Sequence, residues 1–78
     1  MPPILVVAAM EEELAGFVKE AEVLREIRRS PLILREARLL EWELVLCITG
    51  VGKVLTAAAV QHCIDRYSPS AVIHTGIA

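Results

Sequence analysis

Apolar and polar positions divide this chain into strand-like runs joined to helical ones. Ile4-Leu5-Val6-Val7-Ala8-Ala9 is an unbroken apolar run, the pattern of a central strand covered on both faces. A helix is expected to begin near Met10. At about 100° per residue, Met10, Leu14, Phe17 and Val18 share one face, Glu12 points away, and Glu11 and Glu13 flank the apolar stripe. Residues 20–30 fit two patterns, since Ala21, Leu24, Arg25 and Arg28 continue a helical spacing while Val23 and Ile27 with their polar neighbours suit a strand. Ser30-Pro31 is a turn signal. Strands are expected over Leu32–Arg38 and Trp42–Ile48, across a short turn near Leu39 to Glu41. Gly50 to Gly52 then turns the chain into a helix from about Val51 to Arg66. Val51, Val54, Leu55, Ala58, Ala59, His62 and Cys63 keep helical spacing, and Ala57, Val60 and Ile64 widen the apolar surface, so this helix needs cover on two sides. Tyr67-Ser68-Pro69-Ser70 ends it, and residues 71–75 form a last strand. This order of elements indicates an α/β sandwich with a mixed sheet.

Composition sharpens that picture. Hydrophobic residues make up 55% of the 78, above the roughly 45–50% usual for soluble domains. Either the chain buries apolar surface against a partner or it is one piece of a larger domain. The net charge of −2 provides no general field for nucleic acid or an anionic membrane surface. Five basic residues, Arg25, Arg28, Arg29, Arg35 and Arg38, fall close together, but Glu26 and Glu36 interrupt them and no aromatic residue is interleaved. They are expected to form a solvated hairpin surface. Cys47 and Cys63 lack CxxC spacing, so buried thiols in a reducing compartment are expected, with neither a redox motif nor a zinc site. The opening apolar run lacks the basic flank of a signal peptide. No run approaches the roughly 18 apolar residues of a membrane span. A cytoplasmic location is expected.

Three strand ends carry the candidate chemistry, because ligands of open α/β sheets bind at the carboxyl ends of strands. Gly50-Val51-Gly52-Lys53 is not a Walker A loop: the required earlier glycine is Cys47 and the required hydroxyl is Val54. The dinucleotide fingerprint fails at Leu55. What remains is a tight glycine turn at a helix N-terminus, which serves equally as plain turn chemistry or as a place where backbone N–H groups approach a ligand. Glu11, Glu12 and Glu13 have a similar double reading. Acids in a first helical turn oppose the macrodipole by about 0.3–1 kcal/mol each, whereas a catalytic role needs one of them directed into a pocket. His62 is expected to pack on its helix, His74 to be a hydrogen-bonded core residue, and Trp42 to pack in the hairpin.

Taken in register, Ala9-Met10-Glu11-Glu12-Glu13 after an apolar strand, Thr49-Gly50-Val51-Gly52-Lys53-Val54 before an alanine-rich helix, and Ile73-His74-Thr75-Gly76-Ile77-Ala78 resemble the N-terminal part of the purine nucleoside phosphorylase/uridine phosphorylase superfamily. The likeness is closest to its 5′-methylthioadenosine/S-adenosylhomocysteine nucleosidases. The resemblance implies a three-layer α/β/α sandwich with a mixed, partly barrel-like sheet, of which residues 1–78 are the N-terminal part and which continues beyond Ala78. It implies a strand over residues 22–29 and a homodimer whose interface includes the helix after the glycine turn. No metal and no cofactor are implied.

By the same resemblance Glu13 orders and deprotonates a hydrolytic water. Met10 and Val51 would line the ribose and alkylthio pocket, and Gly76, Ile77 and Ala78 would border the nucleoside. The chemistry is that of an N-glycosidase: the ribosyl centre becomes oxocarbenium-like, a carboxylate positions water on one face, and an acid protonates the departing base on the other. That acid, an aspartate in the family, belongs to a later part of the domain, so residues 1–78 alone are expected to be nearly inactive. Ile77 departs from the small hydroxyl residue that phosphorylases use near phosphate. It matches futalosine hydrolases, which often carry an aliphatic residue there. The alternatives are therefore a futalosine hydrolase or a purine nucleoside phosphorylase and, outside enzymes, an oligomerisation module built on the alanine-rich helix.

Overall fold

A computed structural model describes residues 2–29, 32–50 and 53–75, with 17, 18 and 53–55 described by backbone alone. The elements run β1 (Ile4–Ala8), a 3₁₀ turn (Glu11–Leu14), α1 (Ala15–Glu20), β2 (Glu22–Arg29), β3 (Leu32–Leu39), β4 (Trp42–Ile48), α2 (Lys53–Tyr67) and β5 (Ala71–His74). Five strands make one mixed sheet in the order β2-β3-β4-β1-β5. β1 lies parallel between β4 and β5, and β2-β3-β4 form an antiparallel meander.

The apolar run at the N-terminus becomes an interior strand, paired along both edges by β4 and β5. Leu5 and Val7 face one side with Leu34, Val45 and Cys47, where α2 covers them with Ala59 and Cys63. Val6 and Ala8 face the other side with Ala37, Leu44, Leu46 and Ile48, where Leu14 of the 3₁₀ turn closes the layer. Helical segments thus pack on both faces, giving the three-layer arrangement expected. Of the two readings of residues 20–30, the strand is realised over Glu22–Arg29. It sits at a sheet edge with nearly every residue exposed, so no alternation of burial marks it in the sequence.

Four expectations need correcting. The helix expected from Met10 begins instead with the tighter 3₁₀ turn at Glu11, and α-geometry starts only at Ala15. β5 lies at the edge of the sheet formed by these residues, with all four of its residues exposed, so the burial expected for His74 is not present among them. His62 is likewise exposed on α2. The β3-β4 turn needs only Leu40 and Glu41 between the paired Leu39 and Trp42. Leu40 takes a left-handed φ of 57° there, the backbone sign that two-residue hairpin loops demand.

Candidate active site at the parallel strand ends

Parallel pairing brings the carboxyl ends of β1, β4 and β5 together, and main-chain hydrogen bonds then extend the alignment past the strands. Thr49 N–H donates to Ala8 O (2.9 Å), Gly50 N–H to Ala9 O (3.0 Å) and Thr75 N–H to Val7 O (2.8 Å). Gly50 has φ 77°, a conformation that glycine takes at no steric cost. Thr49, 2% exposed, anchors the turn from inside: its hydroxyl lies 3.0 Å from Gly50 O and 3.2 Å from Thr56 Oγ1.

Glu13 belongs to this arrangement. Its Oε1 accepts hydrogen bonds from Ala9 N–H (3.0 Å) and Met10 N–H (2.9 Å). The 3₁₀ geometry makes this possible: three residues per turn set Glu13 over Met10, and Glu13 N–H donates to Met10 O at 3.2 Å. The side chain thereby satisfies N–H groups at the start of the turn, as capping residues do. Ala9 is bonded at both ends of its own backbone, through its N–H to Glu13 and through its carbonyl to Gly50. Among the described residues Oε2 of Glu13 has no partner, and the half-buried carboxylate is held by one oxygen only.

The remaining expected residues divide plainly. Met10, half exposed, sits beside Glu13 in the first position before the turn. Val51, Gly76, Ile77 and Ala78 lie outside the described residues. Glu12 is exposed, while Glu11 is paired with Arg35 of β3. Among the described residues no three His, Cys, Asp or Glu side chains converge to hold a metal, and no helix is long and apolar enough to cross a membrane.

One member of the site region escaped the sequence reading. Arg35, grouped with a solvated basic surface, is 8% exposed and bridges Glu11 of the 3₁₀ turn and Glu26 of β2, the latter at 2.7 Å. Its guanidinium is held above the ordinary arginine range by Glu11 and then Glu26. Arg35 and next Arg28 hold the Glu26 carboxyl below its ordinary range. The signal was available in the alternation of β3: Ile33, Ala37 and Leu39 pack on the face of the 3₁₀ turn, and residue 35 shares their parity.

On the opposite face, Cys47 and Cys63 are fully buried free thiols. A contact with Cys63, together with burial, pushes Cys47 up.

Comparison with known proteins agrees with this architecture. Residues 3–78 match the family model described as the phosphorylase superfamily. A 5′-methylthioadenosine/S-adenosylhomocysteine nucleosidase of Oceanobacillus iheyensis is 32% identical over 73 residues, covering 94% of this chain and 32% of the relative. The corresponding nucleosidase of Neisseria meningitidis, solved in complex with methylthio-immucillin-A, superposes with a TM-score of 0.86 at 28% identity over 97% of this chain and 33% of that one. A futalosine hydrolase of Helicobacter pylori shares the fold at a TM-score of 0.83 and 19% identity, covering 99% of this chain and 34% of that one. The chain spans about a third of the length of the curated relatives it matches.

Proposed function

Since the chain belongs to the phosphorylase superfamily, we propose that it is the N-terminal part of a nucleoside N-glycosidase that hydrolyses the ribosyl–base bond of 5′-methylthioadenosine or S-adenosylhomocysteine. The observation that carries this reading is the posture of Glu13. One carboxylate oxygen is fixed by two main-chain N–H groups, and the other, without a partner among the described residues, is taken to accept a proton.

In this reading Oε2 of Glu13 orders a water on one face of the ribose and takes its proton as the water oxygen bonds to the anomeric carbon. The anomeric carbon–base bond breaks, its electron pair leaves with the base, and an acid from beyond these residues protonates that base. Met10, Val51, Gly76, Ile77 and Ala78 would line the nucleoside pocket. Nucleosidase relatives, one of them solved with a nucleoside analogue, support the substrate class. A homodimer would cover α2, where Ala57, Ala58 and Ile64 are exposed. The two free buried thiols suit a reducing cytoplasm.

The test is base release by the complete protein from 5′-methylthioadenosine, S-adenosylhomocysteine, futalosine and inosine, each with and without phosphate. Phosphate-independent release from the first two is expected. Release that requires phosphate would replace hydrolysis with phosphorolysis. Release from futalosine alone would select the second reading, which Ile77 favours.

A further inference from the structure

The ion pairs around Arg35 join the element that carries Glu13 to a part of the sheet remote from it in sequence. Arg35 lies on β3 beside Leu46 of the inner strand β4 and Glu26 of the edge strand β2. Its Nη2 bonds Glu11 and its Nε bonds Glu26, while Glu26 also takes the Nε of Arg28 at 2.8 Å. The arginine is nearly buried, but its partners keep 54% and 34% of their side-chain surface exposed. The anchor is therefore a fixed cation within the sheet, and the element held by it is the surface turn.

A fork-shaped guanidinium engages two carboxylates with directionality that a lysine ammonium does not supply. Glu11 is the first residue of a four-residue turn, too short to fix its own orientation. Two residues later comes Glu13, whose carboxylate orientation depends on that same turn through the Ala9 and Met10 N–H bonds. Leu14 ties the far end of the turn into the apolar layer. The turn is thus pinned at its first residue by charge and at its last by burial, with Glu13 between.

We propose that Arg35 is a positioning residue for the reaction: through Glu11 it sets the orientation of the turn and hence of the Glu13 carboxylate toward its water. The proposal rests on the nucleosidase reading above. Displacing a reacting group by about 1 Å can cost about 10²-fold, so loss of this tether should be read in turnover.

The experiment compares Arg35→Met, Glu11→Ala, Arg35→Met/Glu11→Ala and Arg35→Lys in the complete protein, with thermal melting beside steady-state kinetics on 5′-methylthioadenosine. Methionine keeps the buried stem apolar, and the Glu11 and Glu26 carboxylates it leaves behind still reach solvent, so neither becomes an uncompensated buried charge. Glu11→Ala removes the acceptor of the Arg35 Nη2 bond outright from a half-exposed position, while Glu26 stays paired with the arginine. Both single variants are expected to lose about tenfold in kcat with KM within about twofold, the double variant to be no worse than the poorer single, and lysine to restore part of the loss. Unchanged kcat in Arg35→Met and Glu11→Ala, with Glu13→Gln inactive, overturns the positioning role and leaves the nucleosidase reading standing. A loss confined to Arg35→Met, or multiplicative losses in the double variant, also overturns it, because Arg35 would then act independently of Glu11. A wild-type protein that releases no base removes both.

Discussion

Replacing Glu13 by glutamine separates the structural duty of this side chain from its chemical one. The amide oxygen of glutamine can accept the same Ala9 and Met10 N–H bonds, now 3.0 and 2.9 Å long, so the turn should keep its shape. Each bond passes from charge-assisted to neutral, a loss of roughly 1 kcal/mol apiece, and the end of the turn loses up to about 1 kcal/mol of favourable dipole interaction. A total of about 2–3 kcal/mol lies within the stability of a typical folded protein. The chemical loss should be far larger in proportion, because glutamine cannot take a proton from water: kcat should fall by about 10²-fold or more. Glu12→Gln is the matched control, since Glu12 is exposed, and it should leave turnover within about twofold. The assay is chromatographic release of adenine from 5′-methylthioadenosine by the complete protein, with melting curves for each variant. Equal, small effects of the two substitutions on kcat would refute the catalytic assignment and leave the glutamates as features of the turn alone.

Three further outcomes are expected of the complete protein. Leu40→Asn should raise the denaturation midpoint by an amount corresponding to about 1 kcal/mol, because Leu40 is 85% exposed yet holds a left-handed φ; an unchanged or lower midpoint would contradict strain at that turn. Glu26 has its carboxyl held down by Arg35 and Arg28, so its contribution to stability is complete above the ordinary glutamate range near 4.5 and lost as pH falls through its lowered folded value. Wild type should accordingly exceed Glu26→Gln in denaturant stability near neutrality and lose that margin in acid, and a margin independent of pH would refute the ion-pair account. Cys47 and Cys63 should resist a thiol-specific reagent until the protein unfolds, since both are fully buried; rapid labelling at native conditions would show that α2 does not stay packed on β4.

Legibility in the sequence followed burial. β1 and β4 could be read because strands covered on both faces are written as continuous apolar runs, and the glycine turn was marked by Gly50, whose φ few other residues accept. β2 was ambiguous because an exposed edge strand imposes no pattern on its side chains. The apolar letters of β5 suggested a covered strand around His74, and its four residues are exposed at the edge of the sheet that these residues form. The wheel left Glu11 and Glu13 as the flanking carboxylates, on an α-geometry where a 3₁₀ turn forms, and the family resemblance chose Glu13 between them. Its partners could not be found in the sequence, being main-chain N–H groups that carry no signature of residue type. Arg35 was legible by strand parity and missed because its charge was weighed before its position.

The hydrogen bonds of Ala9 have a further consequence for how such a site can change. Its N–H reaches Glu13 and its carbonyl receives Gly50, so the geometry passes through atoms every residue except proline possesses. Replacing the side chains at positions 9 and 10 by other non-proline residues leaves these bonds available. Under the proposed function, positions 9 and 10 can therefore vary with the 5′ substituent or base while the Glu13 carboxylate keeps its place. A proline at position 9 or 10, by contrast, would delete one of the two donors to Glu13, whatever its side chain contributed to the pocket.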